Sequence, residues 1–441
     1  MNNPSPSSTN PKKVLRLLLT GASGYVGQHL LHALLTDTCH EWTAGVRLQI
    51  TATYGSLSTF ADDCNKFISS SSAVEIELLN QTVFNIADSH SMETYFESRR
   101  RRNLARHPSI TTNETDASSS SVLLAEPPFD IVIHLAAMSS PLECQKNQPL
   151  ASLINTPTTL ITCLREEQQR YYQQTHVQHT LTFIFASTDQ VYDGSKSFYD
   201  SDTDTPLPIH FYGQSKLDME HLLLQQQQQQ QHDSSSSSSA ASFIPIILRS
   251  SLVLGPKTPL GTCRKQSFLQ FVQDIVRSYK QNQDKNHTQK KYDFYTNEYR
   301  NVIHVTDVIQ IMRYFIRNHI DTIFHRSGVS STPIEIQQKH NTSIYNMGGK
   351  DRVSRWDILM AVAQYYGLQH KDIDLFAIPA ERINPILPSS VHGLSSENPV
   401  LTSVPSPLDI SMCVDKLQQK TGLQFMGLSD MVALTFIDSE L

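Results

Sequence analysis

The chain has 441 residues, with 36 Lys and Arg against 42 Asp and Glu. It can bury a large core, and its net charge of −6 gives no overall pull towards nucleic acid or an anionic membrane surface. No apolar run is long enough to cross a bilayer, and the six scattered cysteines form no C-x-x-C pair, which argues against zinc and a disulfide framework and for reduced thiols in a cytoplasmic protein.

Residues 1–11, rich in Ser, Pro and Asn, read as a short disordered lead-in rather than a secretory signal. Residues 14–19 are apolar apart from Arg16, the pattern of a buried parallel strand. A glycine-rich turn follows, and then a helix over 28–35 with leucines at 30, 31, 34 and 35. Further strands are expected at 42–48, 130–135, 181–186 and 243–248, with helices at 150–164 and 212–224. This alternation predicts an α/β fold, a doubly wound parallel sheet of the Rossmann type. The dinucleotide-binding domain is expected over 12–250, carrying low-complexity inserts at about 49–73, 99–128 and 225–242, among them serine runs and a glutamine run. The cluster Arg99 to Arg102 reads as a solvated helix end, not a nucleic-acid patch. Residues 251–441 are expected to form a smaller substrate-binding lobe, some of whose segments return to the main domain. Within it, 250–259 reads as a loop, 268–279, 356–366 and 415–421 as helices, and 299–304 as a strand leading into Asp307 and another helix.

The turn Gly21-Ala22-Ser23-Gly24-Tyr25-Val26-Gly27 stands between a strand and a helix. That is the context in which free N–H groups and a helix dipole face a diphosphate, and glycine is needed where the chain turns, meets phosphate and packs on the strand. About 20 residues on, an NAD site would carry an acid for the ribose hydroxyls. Arg47 stands there instead, so NADP(H) is favoured over NAD(H), because a guanidinium suits a 2′-phosphate.

Tyr212 and Lys216, four residues apart, share one face of a helix, where an ammonium can lower the phenol's pKa. Such a phenol can protonate the alkoxide formed when hydride reaches a carbonyl. Thr188, at the end of a predicted strand, can hydrogen-bond the same oxygen. Acids are plentiful, but none cluster at a metal-ligand spacing.

The segments Ser187-Thr188-Asp189-Gln190-Val191-Tyr192-Asp193-Gly194 and Tyr212-Gly213-Gln214-Ser215-Lys216-Leu217-Asp218-Met219-Glu220 carry a resemblance. With the glycine turn, the chain resembles an extended short-chain dehydrogenase/reductase, in the dTDP-4-dehydrorhamnose reductase-like branch, from about residue 12 to the C-terminus. That branch includes the regulatory β subunit of methionine adenosyltransferase. The resemblance implies a catalytic set of Thr188, Tyr212 and Lys216, with Lys216 also holding the nicotinamide ribose. It implies cofactor contacts at Asn85 and Ile86 (adenine), at Ala136 and Ala137, and at Asn155, which helps organise the central helix. It implies substrate contacts at Asp189, Arg249 and Arg300, and Asp307 matches a pattern joining lobe and sheet. Gln190 and Met219 depart from the branch, which has Tyr and Gly there.

Two functions follow. One is an NADPH-dependent reductase of a 4-keto-6-deoxy nucleotide sugar or similar carbonyl; the other is a non-catalytic NADP-binding regulatory subunit, partnered with a methionine adenosyltransferase catalytic subunit. A nucleotide-sugar epimerase or dehydratase with bound NAD is disfavoured by Arg47 and the Ser-Thr-Asp element. No nucleic-acid or membrane partner is expected.

Overall fold

A computed structural model describes residues 13–36, 46–55, 59–68, 74–106, 127–233, 241–261, 263, 267–282, 291–324, 344–382 and 404–437. The first strand, β1 (Val14–Thr20), leads through the glycine turn into α1 (Tyr25–Thr36). Then come β2 (Arg47–Thr53), α2 (Phe60–Ile68), β3 (Val74–Leu79), α3 (Ser89–Arg106) and β4 (Ile131–His134). Three helices, α4 (Pro141–Lys146), α5 (Gln148–Asn155) and α6 (Thr158–Thr175), precede β5 (His179–Thr188). After a single 3₁₀ turn at Asp189–Val191, α7 (Phe211–Asp233) and β6 (Ala241–Ser250) complete the first half.

These strands and β10 (Ile344–Met347) form one seven-stranded parallel sheet in the order β10-β6-β5-β4-β1-β2-β3. Its central strands are apolar on both faces because helices cover both: Leu15, Leu17, Leu18 and Leu19 of β1 are all fully buried. Chain order reverses on either side of β1, next to β4. A crevice opens at such a switch point, beyond the carboxyl ends of the strands.

The second half adds β7 (Leu252–Leu254), α8 (Phe268–Asn282), β8 (Tyr292–Tyr295), β9 (Tyr299–His304) and α9 (Val305–Phe324). After β10 follow β11 (Arg352–Ser354), α10 (Arg355–Tyr365), α11 (His370–Ile373), β12 (Ala377–Ala380), α12 (Asp415–Thr421) and α13 (Leu428–Phe436). Strands β7, β9 and β11 form a small mixed sheet, and β8 pairs with β12. An apolar cluster including Leu269, Val276, Phe294, Leu359, Phe376 and Met431 holds this part together.

Several expectations from sequence need correction. The second strand is Arg47–Thr53, later than expected, while 42–45 of the expected 42–48 lie outside the described residues; two of its seven residues are threonine, yet Thr51 and Thr53 are buried. The supposed insert at 49–73 therefore contains most of a central strand and the helix α2. The helix expected at 150–164 is broken at Thr156-Pro157, since proline carries no N–H and disfavours helix in the residue before it; α6 restarts at Thr158. Residues 250–259 include a strand, Leu252–Leu254. The helix α7 continues to Asp233, so the glutamine run belongs to it, in keeping with glutamine's good helix propensity. Arg99 is no solvated helix end. It is buried, with Nε 2.9 Å from Glu167 Oε1 and the guanidinium 4.0 Å from the Phe129 ring centroid.

Candidate active site

The glycine turn sits at the carboxyl end of β1. Gly21 has φ +75°, and a Cβ there would lie 2.5 Å from the Ala136 nitrogen, so only glycine lets the turn approach the end of β4. A Cβ on Gly27 would lie 2.2 Å from the Gly21 carbonyl oxygen, which explains the third glycine as close helix-to-turn packing. The Gly55 N–H donates to Ser23 Oγ (3.1 Å) and the Ala22 N–H to the Thr53 carbonyl (2.9 Å), fixing the turn against the end of β2. The Tyr25 hydroxyl donates to the Pro256 carbonyl (2.9 Å). Its side chain thus faces the second half of the molecule, while the N–H groups of Tyr25 and Val26 open α1 without an intrahelical partner. This cradle suits the diphosphate of a dinucleotide.

Along the same edge, β5 ends at Thr188 and α7 begins with Phe211 and Tyr212. Tyr212 is buried, and burial raises its pKa; a hydrogen bond with Thr188 pulls the other way. Lys216 is only 2% exposed. Its ammonium donates to the Ala186 carbonyl (2.8 Å) and lies 4.6 Å from the Phe185 ring centroid. Burial lowers its pKa to about 7, against the favourable influence of Cys144 and Glu220. The expected lowering of the phenol by Lys216 is not what sets Tyr212 here: burial dominates. A phenol so raised keeps its proton at neutral pH, which suits a donor more than a base.

Asn155 is fully buried and joins three pieces. Its Oδ1 accepts from the Met138 N–H (2.9 Å), and its Nδ2 donates to the Met138 carbonyl (3.1 Å) and Ser215 Oγ (2.9 Å). It thereby ties the loop carrying Ala136 and Ala137 to the helix turn between Tyr212 and Lys216. Beneath them, the Nδ1 of buried His134 lies 2.7 Å from Thr20 Oγ1, and burial lowers that imidazole to about 3.

Asp189, next to Thr188, is 2% exposed, and burial pushes its carboxyl up to about 6 against the nearby Arg300 and the Thr188 hydroxyl. Thr188 Oγ1 lies 3.2 Å from Asp189 Oδ1, and the Arg300 guanidinium stands 3.8 Å from Oδ2. Arg300 also meets Glu298 (3.1 Å), a residue shared with Arg382 (3.0 Å) and Arg355 (3.6 Å). Burial alone would raise the Glu298 carboxyl, but the three guanidiniums together hold it below the usual range. Three cations thus surround one buried carboxylate beside Asp189, and Arg355 remains 43% exposed.

Most of the predicted residues lie on this edge. Gly21, Ser23, Gly24, Tyr25, Val26 and Gly27 form the cradle; Ala136 and Ala137 follow β4; and Asn85 and Ile86 lie in the turn after β3, where Asn85 Oδ1 accepts from the Ala87 N–H (3.1 Å). Two do not fit their predicted roles. Arg47 opens β2, paired with Val14 at the start of β1. It lies about 20 Å along the strand from the β2 carboxyl end, at 3.3 Å per residue. There it meets Glu75 at 3.2 Å. The misplaced strand boundary caused the error. Arg249 is 2% exposed and bound to Glu220 and Tyr192, so it faces the interior rather than a substrate. The sequence reading missed Glu298, Arg355 and Arg382. The one available signal was Glu298, two residues before Arg300 on β9's approach. Among the described residues, no group of three or more His, Cys, Asp or Glu could hold a metal ion, and no helix is long and apolar enough to cross a membrane.

Comparison with known proteins bears on the family and the fold. A family model described as the NAD dependent epimerase/dehydratase family matches residues 17–327. A probable low-salt glycan biosynthesis reductase of Haloferax volcanii is 32% identical over 109 residues, 24% of this chain; the match spans only 32% of that relative's length. The dTDP-4-dehydrorhamnose reductase of Bacillus anthracis, solved in complex with NADP, is similar with a TM-score of 0.52 at 15% identity, covering 97% of this chain and 100% of that one. The UDP-glucose 4-epimerase of Bifidobacterium longum, in complex with NAD+ and UDP, gives 0.56 at 16% identity, covering 95% and 96%. At such identities the likeness speaks for the fold alone.

Proposed function

The chain belongs to the NAD dependent epimerase/dehydratase family, and on that premise we propose that it is an NADPH-dependent reductase of a 4-keto-6-deoxy nucleotide sugar or a similar carbonyl. The observation that carries the proposal is the meeting of Tyr212, Thr188 and Lys216 with the arginines around Glu298, reached through Asp189. Reducing chemistry needs the first set; a diphosphate-bearing substrate suits the second.

A bound nicotinamide cofactor would supply the hydride. Thr188 offers its hydroxyl to the substrate carbonyl oxygen, and Tyr212 delivers the proton as that oxygen becomes an alkoxide, a far stronger base than the phenolate. The Lys216 ammonium stands ready to hold a ribose hydroxyl, and Asn155 keeps helix and loop in register. Arg300, Arg355 and Arg382 orient the phosphates, since guanidinium forks match phosphate oxygens. With Arg47 removed from the site, the preference for NADPH rests on the end of β2, where Thr53, Tyr54 and Gly55 present no carboxylate to repel a 2′-phosphate.

The test is NADPH consumption by purified protein with a dTDP-4-keto-6-deoxy sugar, run in parallel with NADH. Tyr212→Phe should lower turnover by about 10²–10⁴-fold, while NADPH affinity stays within about twofold. An equal loss of cofactor binding in that variant would make the phenol structural and the mechanism wrong. Tight NADPH binding without turnover would favour the regulatory-subunit reading, to be checked by co-purification with a methionine adenosyltransferase catalytic subunit. Tightly bound NAD would favour an epimerase.

A further inference from the structure

Behind the reaction centre lies a buried ion pair that the proposed chemistry does not use. Glu220 is 1% exposed and stands one helical turn after Lys216 on α7, on the same face. Arg249 Nε lies 3.2 Å from each Glu220 oxygen, and its Nη2 lies 2.7 Å from Oε2. Glu220 also accepts from the Ser187 hydroxyl. Ser187 is the residue before Thr188 and the register partner of Arg249 across β5 and β6. The remaining Arg249 nitrogen donates to the Tyr192 hydroxyl (2.9 Å), which donates in turn to Asn346 Oδ1 (2.9 Å) on β10.

We infer that Glu220, backed by Arg249, is the positioning residue of this centre: it sets a carboxylate one helical turn from the Lys216 amine and locks the strand end bearing Thr188 to the helix bearing Tyr212. Its catalytic meaning rests on the reductase reading. A buried ion pair is often replaceable by apolar residues without loss of stability, so stability alone gives no reason for it. Its location does. The pair contacts α7, β5 and β6 where the three proposed reacting groups must keep their relative places, and Tyr192 carries the link to β10.

The groups acting on Lys216 are Cys144 from α4, Glu220 from α7, His134 from the end of β4, and the Ala186 carbonyl and Phe185 ring from β5; Tyr212 stands one turn earlier on α7, where Thr188, Asp189 and Cys144 act on it. Cys144 and, after it, Glu220 favour the ammonium; Glu220 is the carboxylate of the set, and Arg249 lies beyond it. The ammonium, though buried, therefore has a fixed counter-charge one turn away.

The experiment is the pH dependence of turnover and, separately, of NADPH binding in wild type, Glu220→Gln and the double variant Glu220→Gln/Arg249→Gln. Removing the carboxylate disfavours the ammonium, so Lys216 loses its proton at lower pH and the alkaline limb moves down. The expected shift is about one pH unit in the single variant, from a charge one helical turn away in a partly shielded interior. The double variant should move in the same direction but less, because the repelling guanidinium is gone as well. It also covers the case in which Glu220→Gln fails to fold around an unpaired Arg249. Limbs that stay in place while activity and binding fall equally at every pH would overturn the inference. A wild type with no turnover would defeat the reductase reading, yet a shifted binding limb would still support the pair.

Discussion

The two halves of the proposed site are built on opposite physical terms. The block of β5, α5 and α7 is dry: Lys216, Asn155, Ser215 and Glu220 are each at most 2% exposed, and each has a named protein partner. The arginine edge is wetter and unbalanced. Glu298 is 1% exposed, but Arg382 is 25% and Arg355 43% exposed, and among the described residues three cations share this one carboxylate, with Asp189 3.8 Å from Arg300. A group that transfers a proton gains from a fixed, water-free setting. A group that recognises phosphate gains from donors left over and reachable. The contrast suggests that chemistry belongs to the dry block and substrate choice to the arginine edge.

Lys216→Ala is the strongest way to break the dry block. Removing the ammonium that donates to the Ala186 carbonyl should cost at least about 10²-fold in turnover and also weaken NADPH binding by about tenfold, a pattern distinct from Tyr212→Phe. Steady-state kinetics with fluorescence titration of NADPH separates the two effects. If cofactor binding were unchanged, Lys216 would not reach the ribose. Next in size, Arg355→Ala with Arg382→Ala should raise KM for the nucleotide sugar by about 10–100-fold while kcat falls less than about threefold, since these guanidiniums are proposed to bind groups that do not react. A fall in kcat with unchanged KM would move the arginines into the chemistry and erase the distinction between the two regions.

The same contrast decides what the sequence made legible. Gly21 to Gly27 is a continuous turn and Tyr212 to Lys216 a single helical turn, so local spacing was enough to place both, and the parallel sheet followed from apolar runs at 14–19, 130–135, 181–186 and 243–248. The arginine edge escaped because Arg355 starts α10 and Arg382 follows β12, brought to Glu298 only by the folded second half. The β2 boundary escaped for a different reason. The buried run in Arg47-Leu48-Gln49-Ile50-Thr51-Ala52-Thr53 alternates with polar side chains that the sheet nonetheless covers, whereas Trp42 to Leu48 looks more apolar on paper. Arg249 was assigned to substrate by the resemblance alone, which carries no sign that Glu220 encloses the guanidinium.

Arg47 gives the smallest and sharpest test. If it read the 2′-phosphate, Arg47→Glu would place a carboxylate against that phosphate and cut NADPH affinity by about 10–100-fold, with NADH little affected. The register instead puts it beside Val14, at the amino edge, where it meets Glu75 with both side chains about half exposed. Exchanging it for glutamate there replaces an exposed ion pair with an exposed repulsion, a change of at most about 1 kcal/mol in stability. NADPH and NADH affinities should both stay within about twofold of wild type, since a charge about 20 Å from the carboxyl end of β2 is screened beyond a Debye length of about 10 Å. A selective loss of NADPH binding would mean that β2 is shifted in register, and with it the whole carboxyl edge on which the cradle is argued.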